Sequence, residues 1–362
     1  MMPPDLSDIV VAIPAKNETE LLPRCLKAIA GQTGVVMSDV TVVASCNNCT
    51  DDTAGRARTL AAVMPFTLHV EEIVLPANIA HAGGARRHAM DAAAARCKPD
   101  GVILTTDADG VPDPNWIASF HEAFQTGVAA VAGRVSTDWE ELQRFPADVL
   151  DIGAREWDYQ GQSAALEALC DPQPHDPWPR HNQTCGANAA IAKPWYEKIG
   201  GLPVLRTGED GAMFSEVWGL DGRVRHDMRP HVTVSARLVG RAQGGMADAL
   251  SSRHGDQYLC DDLLEPADDL MRRASWRHAA REAFNASRLR EWALAAGADP
   301  DCAEAAAEKP HFGQAWQTLE ARWPCLAKRR ITARGLDLEL ARINRLLTDI
   351  RRPDARRKAA CS

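Results

Sequence analysis

Two aspartates stand two residues apart in Leu104-Thr105-Thr106-Asp107-Ala108-Asp109-Gly110, at the end of a short apolar run. Carboxylates this close repel each other and lose hydration unless a cation joins them. Oxygen donors of this kind suit a hard divalent ion, Mg2+ or Mn2+, whose shell keeps waters or phosphate oxygens. Asp109 and Asp107 are therefore candidate metal ligands; the plainer alternative is that both acids open a turn and cap the next helix. Acids recur in Thr207-Gly208-Glu209-Asp210. Either Glu209 or Asp210 offers a general base, or the pair only supplies the negative charge that a helix start favours. Gly83-Gly84-Ala85-Arg86-Arg87-His88 puts two arginines on the first turn of a helix, a combination suited to a diphosphate. Read by itself, it is a solvated basic face. It lacks the glycine spacing of a dinucleotide fingerprint and the Gly-Lys-Ser/Thr of a P-loop. Pro14-Ala15-Lys16-Asn17-Glu18, with the loop around Asn47, offers backbone and amide groups able to read a flat base such as uracil. Asn17-Glu18 alone reads as a helix cap.

These residues need a scaffold that brings them together. Over the first 135 residues, short apolar runs (8–13, 40–44, 102–106, 128–135) alternate with helical patterns (18–30, 53–63, 82–96, 114–124). Residues 68–73 alternate in polarity and read as a strand near an edge. This rhythm predicts an α/β fold, a mostly parallel sheet with helices on both faces. Ligands on such sheets bind beyond the carboxyl ends of the strands, where Pro14–Glu18, Asn47 and Asp107–Asp109 fall. Residues 140–169 read as a helix and 171–179, with four prolines, as a loop. Helices are expected from 194 and 209, a strand at 231–235, and a helical C-terminal region from 246 onward.

The ordered series Pro-Ala-Lys-Asn-Glu, Asn-Asn-Cys-Thr-Asp, Gly-Gly-Ala-Arg-Arg, Asp-Ala-Asp, Gly-Ala-Asn, Gly-Gly-Leu-Pro and Gly-Glu-Asp resembles a family 2 glycosyltransferase with the GT-A (Rossmann-like) fold, over about residues 8–245. The resemblance implies a nucleotide-diphosphate sugar as donor, a divalent metal, and inversion at the anomeric carbon. It implies that Pro14, Ala15, Asn17, Glu18 and Asn47 line the nucleoside pocket and that Arg87 or Arg86 lies near the diphosphate. Asp107 would face the ribose, with Asp109 on the metal. Gly186, Ala187 and Asn188 would border sugar and acceptor, and Asp210, beside Glu209, would be the catalytic base. An acid common in the family after the second strand is replaced here by Cys46-Asn47, and the Gln-x-x-Arg-Trp element is absent. Residues 235–245 carry Arg237 and Arg241 in that region instead, arginines able to close over a diphosphate. His226 and His231 are not assigned to the metal.

The organisation expected is a GT-A domain over residues 1–245, with a nucleotide-sugar half at about 8–135 and an acceptor half at about 183–245, then a helical extension over 246–362. A net charge of −8 gives no bulk attraction for nucleic acid. No 18-residue apolar run is present, so no transmembrane segment is expected. The opening Met1-Met2-Pro3-Pro4-Asp5 is not a secretory signal. Ten cysteines in 362 residues are too dilute for a disulfide scaffold. These features point to the cytoplasm, with peripheral membrane contact left open. The basic stretch 351–358 reads as a solvated end. The acceptor expected is a carbohydrate, lipid or small molecule. Three other readings compete: a redox protein built on Cys46-Asn47-Asn48-Cys49, a sugar nucleotidyltransferase, which would want a Gly-rich, Arg-containing loop after the first strand, and a non-catalytic binding module, which would lack the base that Glu209-Asp210 offers.

Overall fold

The computed structural model describes residues 8–237, 252–253 and 255–352. The readings placed on Met1–Asp5, on Arg241 and on most of the basic stretch 351–358 lie outside the described residues. The chain forms two compact units, Met1–Arg144 with Gln183–Trp218 and Gly222–Leu250, and Phe145–Asn182 with Gly219–Asp221 and Ser251–Ser362.

The first unit is built on strand β1 (Ile9–Ala15). Its Ile9, Val11 and Ile13 join Leu22, Leu26, Trp116 and Phe120 in one core, while Val10 and Ala12 join Met90, Met213 and Phe214 in a second. Successive strand residues point to opposite faces, so a continuous apolar run is what a strand covered by helices on both sides requires. Strands β2 (Val40–Asn47) and β4 (Val102–Thr105) flank β1 in parallel. β3 (Thr67–Ile73) is the outermost strand on that side, as its alternating polarity predicts. The full sheet has eight strands in the order β3-β2-β1-β4-β7-β6-β8-β5. It is completed by β5 (Val111–Pro112), β6 (Ala130–Thr137), β7 (Ala189–Ala192) and β8 (Val224–Val234). Four of its seven pairings are parallel; β7 runs against both neighbours, and β5 against β8. Helices α1 (Leu21–Ala30), α2 (Thr53–Ala61) and α4 (Trp116–Phe124) lie over one face and α3 (Ala82–Ala94) over the other.

Register decides what meets at the carboxyl edge. Ala15 pairs with Cys46, so β1 and β2 end side by side, while β4 ends at Thr105, opposite Ala12 and three residues short of the end of β1. Because β7 is antiparallel, Thr105 pairs with its first residue, Ala189. The Gly186-Ala187-Asn188 turn thus enters the sheet where the Asp107 loop leaves it. β5 pairs with the end of β8, Val111 with Thr233, which brings Arg237 back to the same loop.

Residues 140–169 are not one helix. They form α5 (Trp139–Leu142) and α6 (Ala147–Cys170), interrupted at Pro146, which has no N–H for a helical bond. Asp138 caps α5 by accepting the Glu140 and Glu141 amides at 3.0 and 3.2 Å. Helix α6 belongs to the second unit, where Tyr159 and Leu166 share a core with Leu264, Leu270, Ile343 and Leu346. That unit is helical, as expected after residue 246. Among the described residues no helix is long and apolar enough to cross a membrane.

Candidate active site

Arg86 is the hub of the carboxyl edge. It is 7% exposed, and its guanidinium donates to Asp107 Oδ1 at 2.7 Å, Glu209 Oε1 at 3.2 Å, Thr105 Oγ1 at 3.2 Å and the Gly186 carbonyl at 2.8 Å. Burial works against its charge, but Asp107, Glu209 and Asp210 outweigh burial and hold its pKa above the ordinary value. Four bonds from one planar group fix three separate loops, a task suited to the guanidinium fork. Gly186 has to be glycine here: a Cβ would stand 2.5 Å from the guanidinium.

The two acids that open α7 (Glu209–Gly219) are sorted by this arrangement. Glu209 is buried against Arg86. Burial raises its carboxyl pKa, with Arg86 pulling the other way. Asp210 instead accepts the Gly186 amide at 2.7 Å and the Gly211 amide at 2.8 Å. Its carboxylate is thus held by backbone, with lone pairs to spare.

Arg87 goes elsewhere. It pairs with Asp91 at 2.6 Å and donates to the Leu202 carbonyl at 2.9 Å, beside the Gly200-Gly201 turn. The structure brings Arg86, not Arg87, to the acids. The Gly83-Gly84 pair also has a packing cause, because a Cβ on Gly83 would stand 1.9 Å from the Leu205 carbonyl oxygen. His81 caps α3, accepting the Gly84 amide at 3.3 Å.

Asp109 lies on the other side of the loop. Arg237 binds Glu18 at 2.7 Å and 3.0 Å and Asp109 Oδ2 at 3.1 Å. Burial first, and then the negative charge of Asp107, pushes the Asp109 carboxyl up to about 7. Glu18 is thus placed beside the aspartates. Asp107 and Asp109 are hard oxygen donors, and such ions are commonly held by one or two carboxylates with phosphate oxygens and waters completing the shell. The donor set fits that pattern. Among the described residues no cluster of three His, Cys, Asp or Glu is poised to hold an ion unaided. His231 is engaged at both ring nitrogens, by Asp113 at 3.0 Å and Ser136 at 2.7 Å.

The shift of Asp109 has a testable sign. The unfolded carboxyl ionises near 3.8 and the folded one near 7, so the folded state binds more protons between those values and metal-free stability falls as pH rises through that window. In metal-free protein, Asp109→Asn is expected to raise Tm relative to wild type by an amount that grows from pH 4 to pH 7. A difference that stays flat across the window would contradict the assignment.

The Pro14–Glu18 corner and the loop after β2 lie side by side. Pro14 and Ala15 pair with Ser45 and Cys46. Asn17 adopts φ 55°, a left-handed value that asparagine tolerates, and its Oδ1 accepts the Thr50 amide at 2.8 Å. Asn47 is buried at the end of β2, and Asn48 closes the loop onto Leu75 through two bonds. Cys46 is fully buried in the core, and burial pushes its thiol up to about 12. A redox cysteine needs a lowered pKa and access, and Cys46 has neither.

Ala187 is buried in the core. The Asn188 side chain is spent on structure: Oδ1 accepts the Trp116 indole N–H at 2.7 Å, and Nδ2 donates to the Arg134 and Pro230 carbonyls at 2.8 and 3.0 Å. It ties α4, β6 and the β8 strand together behind the Gly186 turn. Sequence reasoning missed Thr105 and Trp116 as partners of Arg86 and Asn188, and no spacing signal reveals them.

Residues 10–175 carry the match to a family 2 glycosyltransferase domain, the family model described as glycosyl transferase family 2. The eight-stranded α/β sheet and the helical C-terminal region agree with the architecture expected from the sequence. No curated protein matches the chain. Among solved structures, the glycosyltransferase is similar to a mannosyltransferase from Pyrobaculum calidifontis in complex with GDP-Man and Mn2+, at 16% identity over 99% of this chain and 81% of that one, with a TM-score of 0.46. It is also similar to residues 1–349 of TarS from S. aureus in complex with UDP, at 12% identity over 94% and 90% of the two chains, with a TM-score of 0.47. A third is glucosyl-3-phosphoglycerate synthase from Mycobacterium tuberculosis in complex with Mg2+ and UDP, at 17% identity over 68% and 77%, with a TM-score of 0.39.

Proposed function

We propose that this glycosyltransferase moves a sugar from a nucleotide-diphosphate sugar to an acceptor hydroxyl by an inverting single displacement. The observation that carries the reading is the convergence of Asp107, Arg86, Glu209 and Asp210 on the Gly186 turn at the carboxyl edge. Pro14, Ala15, Asn17 and Asn47 border the nucleoside, and Gly186 with Ala187 borders the sugar. Asp107 faces the ribose. Asp109, with Asp107, would hold a Mg2+ or Mn2+ ion, which when bound supplies Lewis-acid stabilisation of the departing diphosphate. Asp210 takes the proton of the acceptor hydroxyl as that oxygen bonds the anomeric carbon. The bond from that carbon to the diphosphate breaks, and its electron pair leaves on the diphosphate oxygen. Glu209 and Arg86 hold the geometry in which Asp210 reaches the acceptor.

A panel of nucleotide sugars with Mn2+ tests the reading. Nucleoside diphosphate release with sugar transfer is expected; release of pyrophosphate would point to a nucleotidyltransferase. Asp109→Ala is expected to remove the metal dependence of nucleotide affinity. Calorimetry that gave equal affinities with and without Mn2+ in wild type would remove the metal from the proposal.

A further inference from the structure

Two guanidinium groups, Arg86 and Arg237, face four carboxylates at the Asp107–Asp109 loop: Asp107 and Glu209 on Arg86, Glu18 and Asp109 on Arg237. Arg86 is locked among four partners on three loops. Arg237 is held differently. Its side chain is 27% exposed against 12% for Asp109 and 5% for Glu18, and it sits three residues past the end of β8. One of its nitrogens binds both oxygens of Glu18 and another binds Asp109 Oδ2. A positive charge therefore already occupies one of the two Asp109 oxygens open to a divalent ion.

We infer that Arg237 is a gate on the metal position, holding Asp109 against Glu18 until a nucleoside diphosphate draws its guanidinium away, so that nucleotide and metal bind cooperatively. The inference rests on the proposed donor and metal site. With Glu18 and Asp109 ionised, those two acids and Arg237 leave a local residual charge of only about −1, by formal charges. That is a weak lure for a free cation. A divalent ion beside Asp109 repels the guanidinium, and displacing Arg237 without a new partner leaves a desolvated charge unpaired. The oxygens of a diphosphate supply that partner through charge-assisted bonds. Whatever the nucleotide does for metal affinity, the metal does for nucleotide affinity by the same factor. The nearby carboxylates Glu18 and Asp107 stay in place in this scheme, Asp107 being held by Arg86. Arg237 acts on the metal through Asp109 and is a positioning residue in the ligand-free state.

The experiment measures Mn2+ binding by calorimetry, with and without UDP or GDP, in wild type, Arg237→Gln and Arg237→Lys. Circular dichroism checks that each variant is folded. Without nucleotide, Arg237→Gln is expected to bind Mn2+ at least tenfold more tightly than wild type. Adding the nucleoside diphosphate should then raise Mn2+ affinity more in wild type than in Arg237→Gln. Arg237→Lys, which keeps the charge but loses the fork, should fall between. Nucleotide-free affinity in Arg237→Gln equal to or below wild type, with transfer by wild type intact, overturns the gate alone. Absence of Mn2+ binding in all three proteins, with either nucleotide present, overturns the gate together with the metal half of the proposed function.

Discussion

Replacing Asp210 by asparagine is expected to leave nucleotide binding intact and to lower sugar transfer about 10²–10⁴-fold, the usual contribution of a positioned base. The side chain keeps its shape and its one remaining carbonyl oxygen, so it retains one of the two backbone bonds from Gly186 and Gly211. It loses the ability to take a proton. Glu209 cannot stand in, because its carboxylate is buried and committed to Arg86. The neighbouring substitution separates the roles: Glu209→Gln weakens the buried ion pair and should cost stability as well as rate. Initial rates and calorimetry with the same nucleotide check the first result, and transfer at the wild-type rate by Asp210→Asn would end the base assignment.

The largest effect on stability is expected from Asp171→Ala in the helical unit. Asp171 lies just past the end of α6, with its side chain 1% exposed. It binds Arg277 Nε at 2.6 Å and the Arg281 guanidinium, through Nη2 at 3.0 Å and also through Nη1. Both arginines lie on one face of α8 (Ala267–Asn285), four residues apart. Arg277 also faces Glu167 at 3.8 Å, itself bound by Arg180 at 3.2 Å. Removing the acid takes the carboxylate from Arg281 and leaves Arg277 with Glu167, and a buried pair broken on one side typically costs about 3–5 kcal/mol. Urea unfolding is the measurement; a loss under 1 kcal/mol, roughly what an exposed pair is worth, would show that water already solvates the network. Burial alone would raise the Asp171 pKa, but Arg281 and Arg277 bring it below the ordinary 3.8. Its contribution is therefore present above about pH 4 and is lost as pH falls through the lower, folded value.

Several features of the fold follow from local pattern. The run Ile9-Val10-Val11-Ala12-Ile13 contains no polar residue to face water, so a strand buried on both faces was the available solution. The alternation in 67–73 placed β3 at an edge for the converse reason. Pro146 was visible in the sequence, but the amphipathic pattern ran through it, and only the structure shows the helix stopping and restarting there. Gly83-Gly84 reads as an anion-binding turn, yet its cause is the close approach of the Leu205 carbonyl, over a hundred residues away. The Asn188 amide reads as a ligand-facing group and is consumed by bonds to three other elements.

The sequence by itself determined which strand ends carry acids, amides and arginines, because strand-loop-helix punctuation depends on neighbours within a few residues. It could not say which of two adjacent arginines turns inward, which of two adjacent acids is pinned, or which distant arginine comes to rest on Asp109. Those choices were made by the tertiary structure. The antiparallel insertion of β7 beside β4 and the pairing of β5 with the end of β8 set residues 86, 107, 186, 209 and 237 within bonding distance, and no spacing along the chain encodes contacts between residues that far apart.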